Sequence, residues 1–445
     1  MDKLIFPENP ARRDFIKYLL LSGAGMAGLN MLSGCAVNPV TGERQLMMVS
    51  REREISIDRQ HSPHQFSADY GESSDKALNK YIQDVGKRLL PAVHRQDMPY
   101  SFRCVNAVYI NAYAFPGGSI GLTRGILLKL ENEAELAALL GHELGHVNAR
   151  HTAEQVSKST LSSVLVGGVS AALSTGDSGL EGLVRQLGMV GQEMLLAHYS
   201  RDNERQADDL GNAYMVESGY STLGFVGLME MLNTMHKEKP SAASVLFSTH
   251  PMGSERYQDA TERAENRYRQ SRDLPLLRDR YMDATAGLRA DKDSIEKLQE
   301  AEALMQKKDY KAAEQKYKKG LSRLGNDYAA NLMTAKCLLV QEKYSQAENF
   351  SKTAVSIDPE GAQARYVSGL TYLNVKKFDR ALKQFEKYDS ILGSNPQVTF
   401  FKGYSLEELG RKEQAAEHYK AYLNSVQQGK YAAHAYKRLK EWGYL

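Results

Sequence analysis

Residues 136–146 read LAALLGHELGH, and this stretch decides the fold of the chain. Its apolar and small residues predict a buried helix, on which residues four apart share one face. His142 and His146 therefore present two imidazoles to one metal ion, and Glu143 stands beside them as a general base. Imidazole nitrogens suit zinc. A five-residue word also occurs by chance, so the zinc hypothesis needs support from other residues.

The third zinc ligand has to come from elsewhere, because a catalytic site takes three protein ligands and keeps one position open. A His six residues further along is excluded, since Thr152 stands there. No acidic residue occurs between Glu154 and Asp177. A later acidic segment carries Glu204 and Asp208 on one helical face, where the first can ligate and the second can orient a ligand His. Such a run is also typical of a solvated charged helix.

Four sequence blocks, in one order along the chain, resemble the M48 metallopeptidases. They are HELGH, the upstream NAYAFPGGSI of residues 111–120, the downstream SRDNERQAD of residues 200–208, and the THP of residues 249–251 with Arg256 after it. The resemblance covers roughly residues 37–265. It implies a gluzincin-type metallopeptidase domain that binds one zinc ion per chain.

The resemblance also assigns individual roles. It implies that Glu204 is the third zinc ligand, beside His142 and His146. It implies that Asp208 contacts a ligand residue and does not bind the metal itself. The domain is expected to span residues 35–265.

Residues 100–106 and 109–115 alternate with β-branched and aromatic side chains, which predicts two strands. A Pro-Gly-Gly turn follows, and the chain then resumes an extended segment, so we expect a small hairpin before the HELGH helix. An edge strand with free backbone groups can add a peptide substrate as one more strand. Asn111 and Ala112 match the substrate-facing strand residues of the M48 family. The alternative is a purely structural hairpin.

His250 and Arg256 are the remaining catalytic candidates. Both could stabilise the negatively charged tetrahedral intermediate of peptide hydrolysis. His250 has a second possible role, in which it fills the open metal position in the resting enzyme and makes the protease latent. His151 is expected to be a structural residue or to support a ligand, not to bind the metal.

The N-terminus predicts export and lipid attachment. Residues 1–34 resemble a signal peptide with a twin-arginine-like Arg12-Arg13, and LSGC, ending at Cys35, resembles a lipobox. Cleavage before Cys35 would leave a lipidated cysteine, which anchors the chain to a membrane. Ala36 follows instead of the Asp that retains enteric lipoproteins at the inner membrane, so we expect the periplasmic face of the outer membrane. Ordinary unfolded export and an unprocessed membrane anchor are the alternatives.

Composition limits the partners. The 57 basic and 54 acidic residues leave a net charge of only +3, which does not favour nucleic-acid binding. Apart from Cys35, only Cys104 and Cys337 are present, in different predicted domains, so no disulfide framework is expected.

The C-terminal third repeats itself every 34 residues, which is the tetratricopeptide period. Ala313, Ala347, Ala381 and Ala415 mark this spacing. The pattern resembles four such repeats over residues 294–429, preceded by a helical linker over 266–293 and closed by a capping helix over 430–445. The groove positions of the repeats are largely apolar, with Lys336 as their only cation. They suit hydrophobic segments of a client protein or an apolar surface of the catalytic domain.

The expected fold is thus mainly α, with a small β-hairpin or sheet in the catalytic domain and an α-solenoid behind it. Between the two metal segments, residues 161–173 are apolar and predict a buried helix, a mobile cover of the zinc cleft or an element that touches the membrane. Two functions fit. The first is a lipid-anchored zinc endopeptidase that cleaves misfolded or unassembled envelope proteins, recruited or gated by the repeats. The second is a chaperone or adaptor for the outer-membrane assembly machinery, with a latent catalytic domain.

Overall fold

In the computed structural model of the 445-residue chain, the described residues are 35–40, 42, 44–46, 49–155, 157, 199–393 and 395–445. The expected signal peptide of residues 1–34 and the apolar segment of residues 161–173 lie outside them. Among the described residues, no helix combines the length and the apolarity needed to cross a membrane.

The described residues of the catalytic part form two small sheets among helices. The strands are β1 (Cys35–Val37), β2 (Arg44–Leu46), β3 (Ser101–Val105), β4 (Ala112–Ala114) and β5 (Ser119–Thr123). The described helices before the solenoid are α1 (Arg51–Ala68), α2 (Lys76–Leu89), α3 (Arg124–Leu127), α4 (Glu133–Asn148), α5 (Arg201–Glu217), α6 (Leu223–Glu238), α7 (Ser244–Thr249), α8 (Ser254–Glu265), α9 (Arg278–Ala284) and α10 (Ala286–Ala290).

Helix α4 carries HELGH and is buried along its whole length. Asn132 caps its N-terminus, because the Asn132 side chain accepts a hydrogen bond from the Glu135 N–H. Gly141 and Gly145 let α5 pack against its backbone. A Cβ atom on either glycine would stand 2.8 Å from a backbone oxygen of α5. This close approach brings the acidic face of α5 to the two histidines.

The larger sheet has the strand order β3-β5-β4, with β5 parallel to β3 and antiparallel to β4. The expected hairpin is therefore formed by β4 and β5, and β3 pairs with the opposite edge of β5. The strand expected over residues 109–115 is shorter than the sequence pattern indicates. Before Ala112 the backbone bonds elsewhere: the Ile110 N–H donates to the Ala242 carbonyl and the Asn111 N–H to the Thr123 hydroxyl.

The solenoid consists of four helix pairs and a closing helix. They are α11 (Lys292–Gln306), α12 (Tyr310–Leu321), α13 (Tyr328–Val340), α14 (Tyr344–Ile357), α15 (Ala362–Asn374), α16 (Phe378–Ile391), α17 (Pro396–Glu408), α18 (Lys412–Ser425) and α19 (Lys430–Glu441). The four alanines of the 34-residue repeat are fully buried. Only small side chains fit where paired helices cross closely. The predicted fold class, a mainly helical catalytic domain followed by an α-solenoid, is confirmed.

The solenoid packs against the catalytic domain. Arg124 of α3 forms an ion pair with Asp327 at 2.6 Å, and the Gln299 amide donates to the Val108 carbonyl at 2.6 Å. The segment expected to be a linker also packs there, because the buried Tyr281 hydroxyl donates to the Leu127 carbonyl at 2.6 Å. The repeats therefore lie against the domain that carries HELGH.

Candidate metal centre

Three side chains from α4 and α5 converge as the sequence predicts. The Nε2 atoms of His142 and His146 are 3.1 Å apart. The carboxylate of Glu204 lies 3.3 Å from His146 Nε2 and 3.5 Å from His142 Nε2. All three side chains are buried. Four-residue spacing on α4 places the imidazoles together, and the glycine contacts bring Glu204 within reach.

His250 joins the same cluster. It follows the C-terminus of α7, where the His250 N–H donates to the Leu246 carbonyl. Its Nδ1 atom is 3.0 Å from Glu204 Oε1 and 3.5 Å from His142 Nε2. The four donor atoms all lie within 4.8 Å of one another, so His142, His146, Glu204 and His250 could together hold a metal ion.

Asp208 and Arg256 contact the side chains of His142 and Glu204. Asp208 Oδ1 is 2.9 Å from Nδ1 of His142, on the side of the ring that faces away from the cluster. The guanidinium of Arg256 donates two hydrogen bonds of 2.7 Å to Asp208 and lies 2.6 Å from Glu204 Oε2. Arg256 is 4% exposed, and its guanidinium is engaged by both carboxylates. It acts as a positioning residue for Glu204 and Asp208 in this arrangement.

The surrounding charges keep Asp208 ionised. Burial alone would raise the pKa of the Asp208 carboxyl, but the Arg256 guanidinium and His142 hold it below its ordinary value. A buried carboxylate that accepts hydrogen bonds from two partners keeps its charge. The ligand histidine is therefore oriented by an anion.

Glu143 lies at the edge of the cluster with an unsatisfied carboxylate oxygen. It is 1% exposed, and its Oε1 atom is 3.9 Å from His250 Nε2. Its Oε2 atom is buried and has no hydrogen-bond partner within the described part of the chain. Burial raises the pKa of Glu143, which makes the carboxylate a stronger base than it is in water.

Two further residues, Tyr199 and His151, contact His146. The Tyr199 ring stacks on the His146 ring with 3.7 Å between the centroids, and its hydroxyl lies 3.0 Å from the Thr152 hydroxyl. His151 Nδ1 is 2.9 Å from His146 Nδ1, and Gln206 contacts its other nitrogen. His151 therefore contacts His146, and its role in supporting a ligand stays a prediction. Tyr199 stands in no motif spacing, so only the fold reveals it.

Asn111 and Ala112 lie at the start of β4, and both are buried. Strand β4 is an edge of its three-stranded sheet. It packs beside the HELGH helix α4. The structure thus places the edge strand beside the helix that carries His142 and His146.

Comparison with known proteins places this cluster in a family. The model of peptidase family M48 matches residues 76–264, and a tetratricopeptide repeat model matches residues 304–370. The metalloprotease YcaL of Escherichia coli is 30% identical over 197 residues, which cover 44% of this chain and 71% of YcaL. The chain belongs to peptidase family M48. Its catalytic domain is thus that of a metallopeptidase, and repeats follow it.

Other M48 relatives are longer. A putative β-barrel assembly-enhancing protease of Vibrio cholerae is 30% identical over 227 residues, which cover 49% of this chain and 46% of the relative. The β-barrel assembly-enhancing protease of E. coli is 29% identical over 196 residues, or 43% of this chain and 40% of the relative. The matched part therefore spans less than half the length of these two relatives.

Proposed function

We propose that this M48 chain is a zinc metalloendopeptidase. The observation that carries the proposal is the buried cluster of two histidines and Glu204 with Glu143 beside it. Zinc ligands stand about 2.0–2.1 Å from the ion, so tetrahedral donors are about 3.4 Å apart. Neighbouring donors here are separated by 3.1 Å between the histidines and by 3.3 and 3.5 Å to Glu204. The His, His and Glu donor set also suits zinc.

Different residues of the chain have different roles in peptide hydrolysis. A bound zinc ion would lower the pKa of water and polarise the scissile carbonyl. Glu143 takes the proton of the attacking water on its free Oε2 atom and passes it to the leaving amine. Asp208 fixes the ring of His142, and Arg256 fixes Glu204, so the ligands need no rearrangement during the reaction.

The edge of β4 supports a peptide as substrate. A segment of unfolded chain can pair with the β4 backbone, which aligns its peptide bonds along α4. A small apolar space lined by Leu139, Leu228 and Phe247 adjoins His142 and Glu143. It is suited to an apolar substrate side chain next to the cleaved bond.

We further propose that His250 keeps the resting enzyme latent. Its Nδ1 atom stands at ligand spacing from both Glu204 and His142. A catalytic zinc site needs one position without a protein ligand. A residue that stabilises the oxyanion would instead be separated from the metal-donor atoms by the bound substrate. The geometry therefore favours a blocking role over the oxyanion role.

The zinc proposal is tested by metal exchange. Protein stripped with a chelator is expected to lose its activity on unfolded casein, and one equivalent of Zn²⁺ should restore it. Mg²⁺ at the same concentration is the control, because it prefers six oxygen ligands and keeps its waters. Full activity of metal-free protein, confirmed by elemental analysis, would contradict the proposal.

The proposed clients are misfolded or unassembled envelope proteins. Three features support this class: the LSGC at Cys35, the repeats beside the catalytic domain, and relatives whose name refers to β-barrel assembly. The apolar groove of the repeats would recruit such proteins, or contact the outer-membrane assembly machinery. The alternative is a chaperone or assembly adaptor whose catalytic domain stays latent.

Attachment to the outer membrane, with the protease facing the periplasm, is part of the same proposal. Cys35→Ser removes the only thiol in the lipobox-like sequence. We expect the variant to leave the membrane fraction, because acyl chains supply the anchor. Cys104→Ser is the matched control, since Cys104 is buried in the catalytic core and should not affect fractionation. Unchanged membrane association of Cys35→Ser would rule out the lipid anchor.

A further inference from the structure

A cavity of about 150 Å³ lies between the catalytic domain and the first repeats of the solenoid. Tyr70 and Val245 line it from the catalytic domain. Glu302, Tyr317 and Lys336 line it from the solenoid. No step of the proposed hydrolysis uses these residues, so their polar groups call for another explanation.

Lys336 is buried with no carboxylate of the described residues within 4.0 Å of its ammonium. Its side chain is 2% exposed, and its ammonium has no hydrogen-bond or ion-pair partner within the described part of the chain. The ammonium lies over the face of the Tyr70 ring, whose centroid is 4.7 Å from Nζ. Burial lowers the pKa of Lys336 to about 8, although Glu302 and Asp69 raise it in part. A buried ammonium is costly unless an anion joins it.

Two tyrosine hydroxyls stand in the cavity wall together with the ammonium. The hydroxyls of Tyr70 and Tyr317 donate no hydrogen bond to any described residue. Glu302 is the carboxylate in the cavity wall, and it is not within 4.0 Å of the Lys336 ammonium. Burial raises the pKa of Glu302 to about 7, so its carboxylate is only partly ionised at neutral pH. The carboxylate of Asp69 is already bonded to Tyr109 and Tyr113.

We propose that this cavity binds a carboxylate that carries a small apolar group. Its two oxygens would accept hydrogen bonds from Lys336 and from the tyrosine hydroxyls, and an ionised carboxylate offers about four acceptor sites. Met305 and Met333 supply an apolar wall. A cavity of this size holds a group of roughly the volume of benzene. The carboxylate can belong to the end of a protein chain or to a small organic acid.

The cavity also adjoins the segment that carries His250. Val245 belongs to α7, and His250 follows directly after that helix. A ligand in the cavity therefore contacts the helix whose other end reaches the metal cluster. We infer that its binding alters how His250 sits on the metal. This link, unlike the binding itself, rests on the proposed function.

Binding is tested on the full chain with probes that differ only in charge. Isovalerate is compared with isovaleramide, and N-acetyl-Ala-Val with its C-terminal amide, by following the methyl resonances of Met305 and Met333. We expect each acid to bind at least about tenfold more tightly than its amide. Tighter binding of the peptide acid than of isovalerate identifies a chain end, and equal binding identifies a small organic acid. Equal affinity of acids and amides would overturn the proposal.

Two variants with opposite expected effects on acid affinity exclude a general effect on folding. Lys336→Met should weaken acid binding at least about tenfold, because the charged donor is lost. Glu302→Gln should strengthen it, because a carboxylate in the cavity wall that repels a bound anion is removed. Lys307→Met, at an exposed lysine of the first repeat, should change nothing. Unchanged binding in Lys336→Met, or weaker binding in Glu302→Gln, contradicts the site.

The link to His250 has its own readout. Saturating acid should change the rate of casein cleavage by about fivefold or more in the wild-type chain. The rate in Lys336→Met should not respond. If a probe shifts the methionine resonances, and so binds, but leaves the wild-type cleavage rate unchanged, the link between the cavity and His250 is overturned. Because binding is observed without any cleavage, an inactive preparation would contradict the proposed function and leave the binding result intact.

Discussion

Glu143→Gln is expected to lower kcat for peptide hydrolysis by about 10³-fold, because general acid–base catalysis contributes on that scale. The amide has nearly the shape of the carboxylate but cannot accept the proton of the attacking water. Glu143 is not within hydrogen-bond distance of the ligand set in the structure, and its closest approach to His250 is 3.9 Å. Zinc content, measured by elemental analysis, should therefore stay at the wild-type level. The measurement is the steady-state rate on unfolded casein.

The matched control is Glu131→Gln, because Glu131 is an exposed residue just before α4. Its rate should equal that of the wild-type chain. A Glu143→Gln variant that retains full zinc and more than a tenth of the wild-type rate would contradict the role of general base. If wild type and variant both fail to cleave casein while the repeats still bind unfolded clients, the chaperone alternative gains the support.

The ligand cluster was predictable because each of its parts follows from local rules. The spacing of His142 and His146 fixes them on one helical face, and Glu204 and Asp208 follow the same rule on α5. The packing of the two helices against each other is harder to predict from the sequence. Gly141 and Gly145 allow the contact, but the sequence alone does not say which helix fills the space that they leave.

Residues held by long-range contacts were harder to predict. Tyr199 has no periodic relation to His146, yet the fold stacks the two rings. The strand expected to begin at Tyr109 begins only at Ala112, because the preceding backbone bonds to Ala242 and Thr123. Alternation of side chains indicates an extended chain but not its hydrogen-bond partners.

The repeats show the same limit on a larger scale. The 34-residue period predicts the helix pairs, since each pair is a local unit. The period says nothing about which surface the groove faces. In the structure, Asp327 pairs with Arg124, and Lys336 lies against Tyr70, so part of the groove is closed by the catalytic domain. One of the two occupants that the apolar groove suggests, the chain's own catalytic domain, is thus present.

His250→Ala is expected to raise kcat/KM on unfolded casein by at least about tenfold. A resting enzyme blocked by a fourth protein ligand is active only in the minor state in which that ligand is displaced, and minor states typically make up about 0.1–10% of the population. Removing the imidazole makes the competent state the major one. His142, His146 and Glu204 remain in place, so zinc is retained. The measurement is the cleavage rate per zinc atom.

The double variant His250→Ala with Glu143→Gln separates this effect from a new, unrelated activity. It should be as inactive as Glu143→Gln alone, because the unblocked site still needs its base. His61→Ala on α1 serves as the control for the loss of an imidazole away from the metal donors. A fall in the rate of His250→Ala would instead assign His250 to the oxyanion. An unchanged rate would remove it from the site, even though its Nδ1 atom lies only 3.0 Å from Glu204.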